Sequence, residues 1–270
     1  MSTLNREENE IVFRMICSIL GLCLALSSSS LSAVAQKTKI PPPPAQKPVN
    51  YALPPREYKT IHAGVWTIQV EKQLITEDHD LANKALARLK KKLTEALKAL
   101  PPSSHARLKK LPIYLLYGQK SAGGGRDNGL EYYQKSAPDY DKQLDPHWRS
   151  CIVIYSAENY VQISDLWALK AVVHELAHAH QLEQWPEDQS DIYQAWKHAT
   201  QFGLYHGVRD NQGKTMEKAY AAVNSLEYFA ELSCMYFARC NYQPFEREEL
   251  KTYDPVGYAM IEKMWGLNPK

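Results

Sequence analysis

An α+β fold is expected of this chain on three observations. Short runs of β-branched, alternating residues lie early, helical apolar spacing dominates later, and no stretch repeats. The 270 positions are 44% hydrophobic and 23% charged, which suits one globular domain carrying a tail. A chain of this length buries a full core without disulfide staples.

The N-terminus has the order of an export signal. Arg14 precedes an apolar run over 15–26, a serine-rich stretch follows, and Ala33-Val34-Ala35 supplies a small-x-small cleavage site. A signal peptide over residues 1–35 is therefore expected, with the mature chain secreted, periplasmic or in the cell envelope. The apolar run is shorter than the ~20 residues that cross a bilayer, so no stable membrane span is expected after cleavage. Leu22 stands where a small residue normally precedes a lipidated cysteine, which argues against an anchor on Cys23. Residues 36–57 carry Pro41-Pro42-Pro43-Pro44, Pro48, Pro54 and Pro55 and read as an extended linker.

The folded domain is expected over 58–270. Residues 65–75 (VWTIQVEKQLI) alternate and predict a strand. Leu81, Ala85, Leu89, Leu93, Ala96 and Leu100 predict a helix over 80–100, stopped by Pro101-Pro102. Residues 111–117 (LPIYLLY) and 151–155 (CIVIY) predict two more strands, separated by a polar, glycine-bearing loop over 123–146. A helix over 166–182 follows, with Ser164 or Asp165 as its N-cap. Irregular or short-helical chain extends to about 215. Helices over 225–239 and 245–264 complete the domain.

The formal net charge is only +2 and no long basic run occurs, so no nucleic-acid partner is expected. Lys90-Lys91-Lys92 reads as a solvated helix face. Cys151, Cys234 and Cys240 allow at most one internal bridge, and Cys234 and Cys240 can pair only if their helix ends between them.

The chemistry centres on His174-Glu175-Leu176-Ala177-His178. Residues four apart on a helix share a face, so both imidazoles can reach one zinc ion while Glu175 contacts a metal-bound water. Leu169, Ala171, Val172, Val173, Leu176, Ala177 and Ala179 make this helix apolar nearly all round, hence buried. Two histidines and a glutamate buried there need partners, and a metal supplies them. A catalytic zinc needs a third protein ligand and an open position. Glu227 and Glu231 share one face of the later helix: Glu227 suits the third ligand, and Glu231 suits an acceptor for the second nitrogen of a liganding histidine. Asn224-Ser225-Leu226-Glu227 equally fits a capping box, in which Glu227 only bonds the helix start. His180 lies off the His174/His178 face; His198 and His206 fall in the irregular stretch.

From about 167 to 266 the chain resembles the zincin-type metallopeptidases related to the catalytic domain of anthrax lethal factor, and a set of secreted bacterial proteins with the same pattern. The residues that carry it are HELAHAH, KAYAAVNSLEYFAELSCMYF, YQPFEREEL, YDPVGY and a closing WG. The resemblance implies a zincin-like fold, a small mixed sheet followed by the active-site helix and C-terminal helices. It implies one zinc ion on His174, His178 and Glu227, Glu175 as general base, and Tyr220 facing the site as a catalytic residue. It implies a peptide or protein substrate, which the 151–155 strand is expected to hold along its edge. Two other classes keep the same ligands: a silent zinc-binding module of the cell envelope, and a zinc hydrolase of a non-peptide amide.

Overall fold

The computed structural model describes residues 49–267; the expected signal peptide over 1–35 and most of the proline-rich segment lie outside them. The chain is mixed α+β, with one small mixed sheet and helices packed around it.

Strand β1 (Tyr58–Ala63) turns at Gly64, whose φ of 66° suits glycine, into β2 (Trp66–Glu71). The strand expected over 65–75 ends at Glu71, where α1 (Lys72–Glu77) begins. The apolar face that pairs β2 with the sheet, Trp66, Ile68 and Val70, is already complete there. Helix α2 (His79–Ala99) runs close to its expected span, capped by Asp78 accepting from the Leu81 amide. Helix α3 (Pro102–Leu108) leads to β3 (Ile113–Leu115).

The polar stretch over 123–146 is not all loop. It contains β4 (Leu130–Tyr133) and the short helix α4 (Ala137–Tyr140). Strand β5 (Cys151–Ile154) and helix α5 (Ala157–Gln162) precede α6 (Asp165–Leu182), which carries the His174 motif. Ser164, not Asp165, caps α6, accepting from the Trp167 amide at 3.2 Å. The expected irregular stretch is largely formed, as α7 (Ser190–Gln201) and the hairpin β6 (His206–Arg209) and β7 (Thr215–Lys218). After α8 (Ser225–Phe237), the single helix expected over 245–264 is two: α9 (Arg247–Tyr253) and α10 (Pro255–Met264). Pro255 has no amide to continue α9, and Asp254 caps the new helix by accepting from the Gly257 amide at 2.8 Å.

The main sheet runs β1-β2-β3-β5-β4. β2, β3 and β5 are parallel, in register through Ile68↔Ile113 and Leu115↔Ile154; β4 is antiparallel to β5 and forms one edge. The strand expected to hold substrate, β5, is therefore interior; the sheet's edges are β1 and β4, and β4 is the one beside β5. All four β5 residues are buried, as a strand covered on both sides requires.

Two charged or linker segments are deeper than expected. Lys92 is 1% exposed, because its ammonium ties α2 to the start of α6 through Asp165 at 2.5 Å and to Glu95 at 2.8 Å. The linker expected to end at 57 joins the fold earlier: Tyr51 is buried against Trp148, with ring centroids 4.8 Å apart. Arg56 pairs with Glu71 at 3.4 Å. Cys151, Cys234 and Cys240 are free, buried thiols. Among the described residues no helix is long and apolar enough to cross a membrane.

Candidate metal centre

Helices α6 and α8 pack against each other and bring the motif residues together. His174, Glu175 and Glu227 are each 7% exposed, and His178 is half-buried. His174 Nε2 lies 3.0 Å from Glu227 Oε2, His178 Nε2 lies 3.0 Å from His174 Nε2, and His178 Nε2 lies 3.4 Å from Glu227 Oε2. Donors about 2.1 Å from one ion at tetrahedral angles stand roughly 3.4 Å apart, so this triangle fits a zinc-sized ion.

Charge gives a second test of fit. Glu175, Glu227 and Glu231 bring three buried carboxylates, against one buried ammonium, Lys170. With both imidazoles neutral the cluster would carry a surplus of two negative charges when Glu175 is ionised and of one when it is protonated, and a divalent cation offsets either. The residues present therefore fit zinc in both spacing and charge.

Glu227 resolves its two expected roles by doing only one. Asn224 caps α8 by accepting from the Glu227 amide at 2.8 Å, while the Glu227 carboxylate reaches the two histidines. Burial alone would raise the Glu227 pKa, but the hydrogen bonds from His174 and His178 outweigh it and hold the carboxyl well below its usual range.

Glu231, one turn further on, takes His174 Nδ1 at 2.9 Å. Its other oxygen meets Lys170 Nζ at 2.8 Å and the Cys240 thiol at 3.5 Å. Lys170 in turn donates to Asn241 Oδ1 at 2.7 Å. Burial would raise the Glu231 pKa, yet Lys170 and His174 bring it down to about 2. This bond directs the Nδ1 hydrogen of His174 toward Glu231 and frees Nε2 for the centre of the triangle. Lys170, Asn241 and Cys240 were not singled out from the sequence. Lys170 alone left a trace there, as the one lysine or arginine on that mostly apolar helix, one turn before His174. His178 has no such support: its buried Nδ1 has no hydrogen-bond partner among the described residues.

Burial would lower the His174 pKa, but hydrogen bonds to Cys234, Glu227 and Glu231 carry it well above 6.5. A proton and a metal ion therefore compete for the same lone pair. Glu175 projects beside the triangle. Burial raises its pKa to about 7, against the opposing pull of His174 and His178. Its Oε2 accepts from the Tyr132 amide of β4 at 2.8 Å.

Tyr220 stands in a short 3-10 turn (Tyr220–Ala222) leading into α8. Its ring lies 5.8 Å from the His174 ring at 26°, and the side chain keeps 39% of its surface exposed. The turn is held by the Ala221 amide donating to Tyr242 at 3.0 Å. Burial and the neighbouring Glu227 carboxylate both raise the Tyr220 pKa, so the phenol stays protonated near neutrality.

The remaining histidines stand apart. His180 stacks on Trp265 with centroids 3.8 Å apart, and its Nε2 lies 3.2 Å from the Met264 carbonyl oxygen. His198 packs against Phe202, and His206 is exposed on β6. Among the described residues the single cluster with metal-ligand spacing is His174, His178 and Glu227. Compared with protein-family models, characterised proteins and solved structures, the chain matches none.

Proposed function

We propose that this protein is an exported zinc-dependent peptidase with a zincin-type catalytic domain. The observation that carries the proposal is the buried His174–His178–Glu227 triangle with Glu175 beside it and Tyr220 against its rim. A short mixed sheet whose antiparallel edge strand borders the motif helix supports the fold part of the reading. Export rests on the N-terminal sequence alone.

His174, His178 and Glu227 would hold the zinc ion, which when bound would supply an acidified water and a Lewis acid for the scissile carbonyl. The chain's own residues do the rest. Glu175 accepts the water's proton on its unbonded oxygen and returns it to the departing amine. The protonated Tyr220 phenol donates to the oxyanion. Glu231 keeps His174 in the liganding tautomer. The substrate backbone pairs with β4, not β5. The Tyr155 amide donates to the Gly129 carbonyl at 3.1 Å, so by alternation the Leu130 backbone groups and the Tyr132 carbonyl face the free side of β4, while the Tyr132 amide is held by Glu175.

Glu175→Gln tests the mechanism in a peptide-library digestion. The variant is expected to keep its zinc and lose roughly 10²–10⁴-fold in turnover, the usual worth of a general base. A variant cutting as fast as wild type would remove Glu175 from the mechanism. If wild type and variant bind zinc equally and neither cuts any peptide, the non-peptide amide reading takes the lead.

A further inference from the structure

The Tyr132 contacts point to a role that the ligand set does not include. Tyr132 lies on β4 and is 8% exposed. Its amide donates to Glu175 Oε2 at 2.8 Å, and its phenol donates to Glu183 Oε1. Glu183 caps the C-terminal end of α6. Glu175 and Glu183 are eight residues apart, about 12 Å along the helix axis. One residue of the edge strand thus grips the motif helix at two places, by backbone at the proposed base and by side chain at the helix end.

We propose that Tyr132 is a positioning residue for Glu175: its phenol, anchored on Glu183, holds the β4 amide against Glu175 Oε2 and leaves Oε1 to handle the proton. The inference rests on the proposed function and deepens it. A backbone amide neither titrates nor swings away as a side-chain donor does, so the carboxylate it grips has a fixed plane. Glu175 Oε1 has no hydrogen-bond partner among the described residues, so the two oxygens are differentiated. The outward-facing Tyr132 amide would otherwise meet water, and neither β5 nor another strand takes it. Anchoring β4 only at Glu175 would let the strand pivot about that bond; the Glu183 bond removes the pivot. A displacement of the base by even 1 Å costs on the order of a hundredfold in rate.

The test has two arms. The first needs neither metal nor substrate: amide hydrogen exchange at Tyr132 in wild type, Glu175→Ala, Glu175→Gln and Tyr132→Phe. Glutamine keeps an acceptor at this place and alanine does not. Slow exchange is expected in wild type and Glu175→Gln, with a rise of roughly tenfold or more in Glu175→Ala and in Tyr132→Phe. The second arm measures kcat, KM and zinc affinity. Tyr132→Phe should lower kcat on the order of tenfold to a hundredfold, with KM and zinc affinity unchanged. Glu183→Ala should match it, and Glu183→Gln, which still accepts from the phenol, should restore most of the rate. An amide that exchanges equally fast in wild type and Glu175→Ala overturns the proposal. So does a Tyr132→Phe enzyme with wild-type kcat, or one whose loss appears in KM or zinc content. If the wild-type chain binds no zinc and cuts nothing while the amide stays protected, the proposed function falls, and the catalytic use of the clamp with it; the contact itself stands.

Discussion

His174 concentrates the account at the scale of one residue. Glu227 bonds its Nε2 and Glu231 bonds its Nδ1, at 3.0 and 2.9 Å. These bonds overcome burial and hold its pKa above 6.5. A group with a raised pKa keeps its proton to higher pH, and metal binding must expel that proton. Zinc affinity is therefore expected to rise with pH through and above 6.5, by about tenfold per unit for each proton displaced. Competition titration against a chromophoric chelator between pH 6 and 8.5 reads this directly, and a flat profile contradicts it. The motif histidines and Glu175 were legible in the sequence because their spacing matches the helical repeat. The residue pattern alone left Glu227 open, since Asn224 three positions before it allows a cap as readily as a ligand, and only the family resemblance favoured the ligand. The structure separates the two, giving the cap to Asn224 and the carboxylate to the histidines.

At the scale of elements, α6 and α8 share more than the ligands. Lys170, 4% exposed on α6, faces Glu231, 1% exposed on α8, at 2.8 Å. Removing one partner of such a buried pair leaves a charge with no counterpart, at a cost of about 3–5 kcal/mol. Lys170→Met is expected to lose that much stability in denaturant unfolding. Lys170→Met combined with Glu231→Gln should lose less than the sum of the two single variants, because the stranded charge is gone. Additive losses would mean that the two side chains act independently. Of this network only Glu231 was legible in the sequence, as the acceptor for a histidine's second nitrogen; its pairing with Lys170 was not visible there. Asn241 and Cys240 reach Lys170 and Glu231 through the turn after α8, a contact that no helical spacing encodes. Strand β4 escaped for a related reason. It has only four residues between glycine-rich and polar segments, so its alternation is too short to stand out. The interior strands β3 and β5 stood out because their continuous apolar runs have no competing helical period.

For the whole molecule, one α+β domain sets an edge strand beside a helix whose interior face gathers three carboxylates, two imidazoles and one ammonium. Local pattern reached the class of fold, the helix that carries the motif and the residues that face its centre. It misjudged which strand lies at the edge, because sheet order depends on crossovers between distant segments. It also misjudged where the linker ends, because Tyr51 is held by Trp148, almost a hundred positions away. The buried His174–His178–Glu227 triangle, in the reading proposed for it, holds a zinc ion. The most direct measurement is the metal content of the purified protein, wild type beside Glu227→Ala, by elemental analysis under conditions that do not strip metal. About one zinc per wild-type chain is expected, with near-complete loss in Glu227→Ala. A wild-type chain that folds without zinc, or a Glu227→Ala chain that keeps a full complement, would contradict this reading.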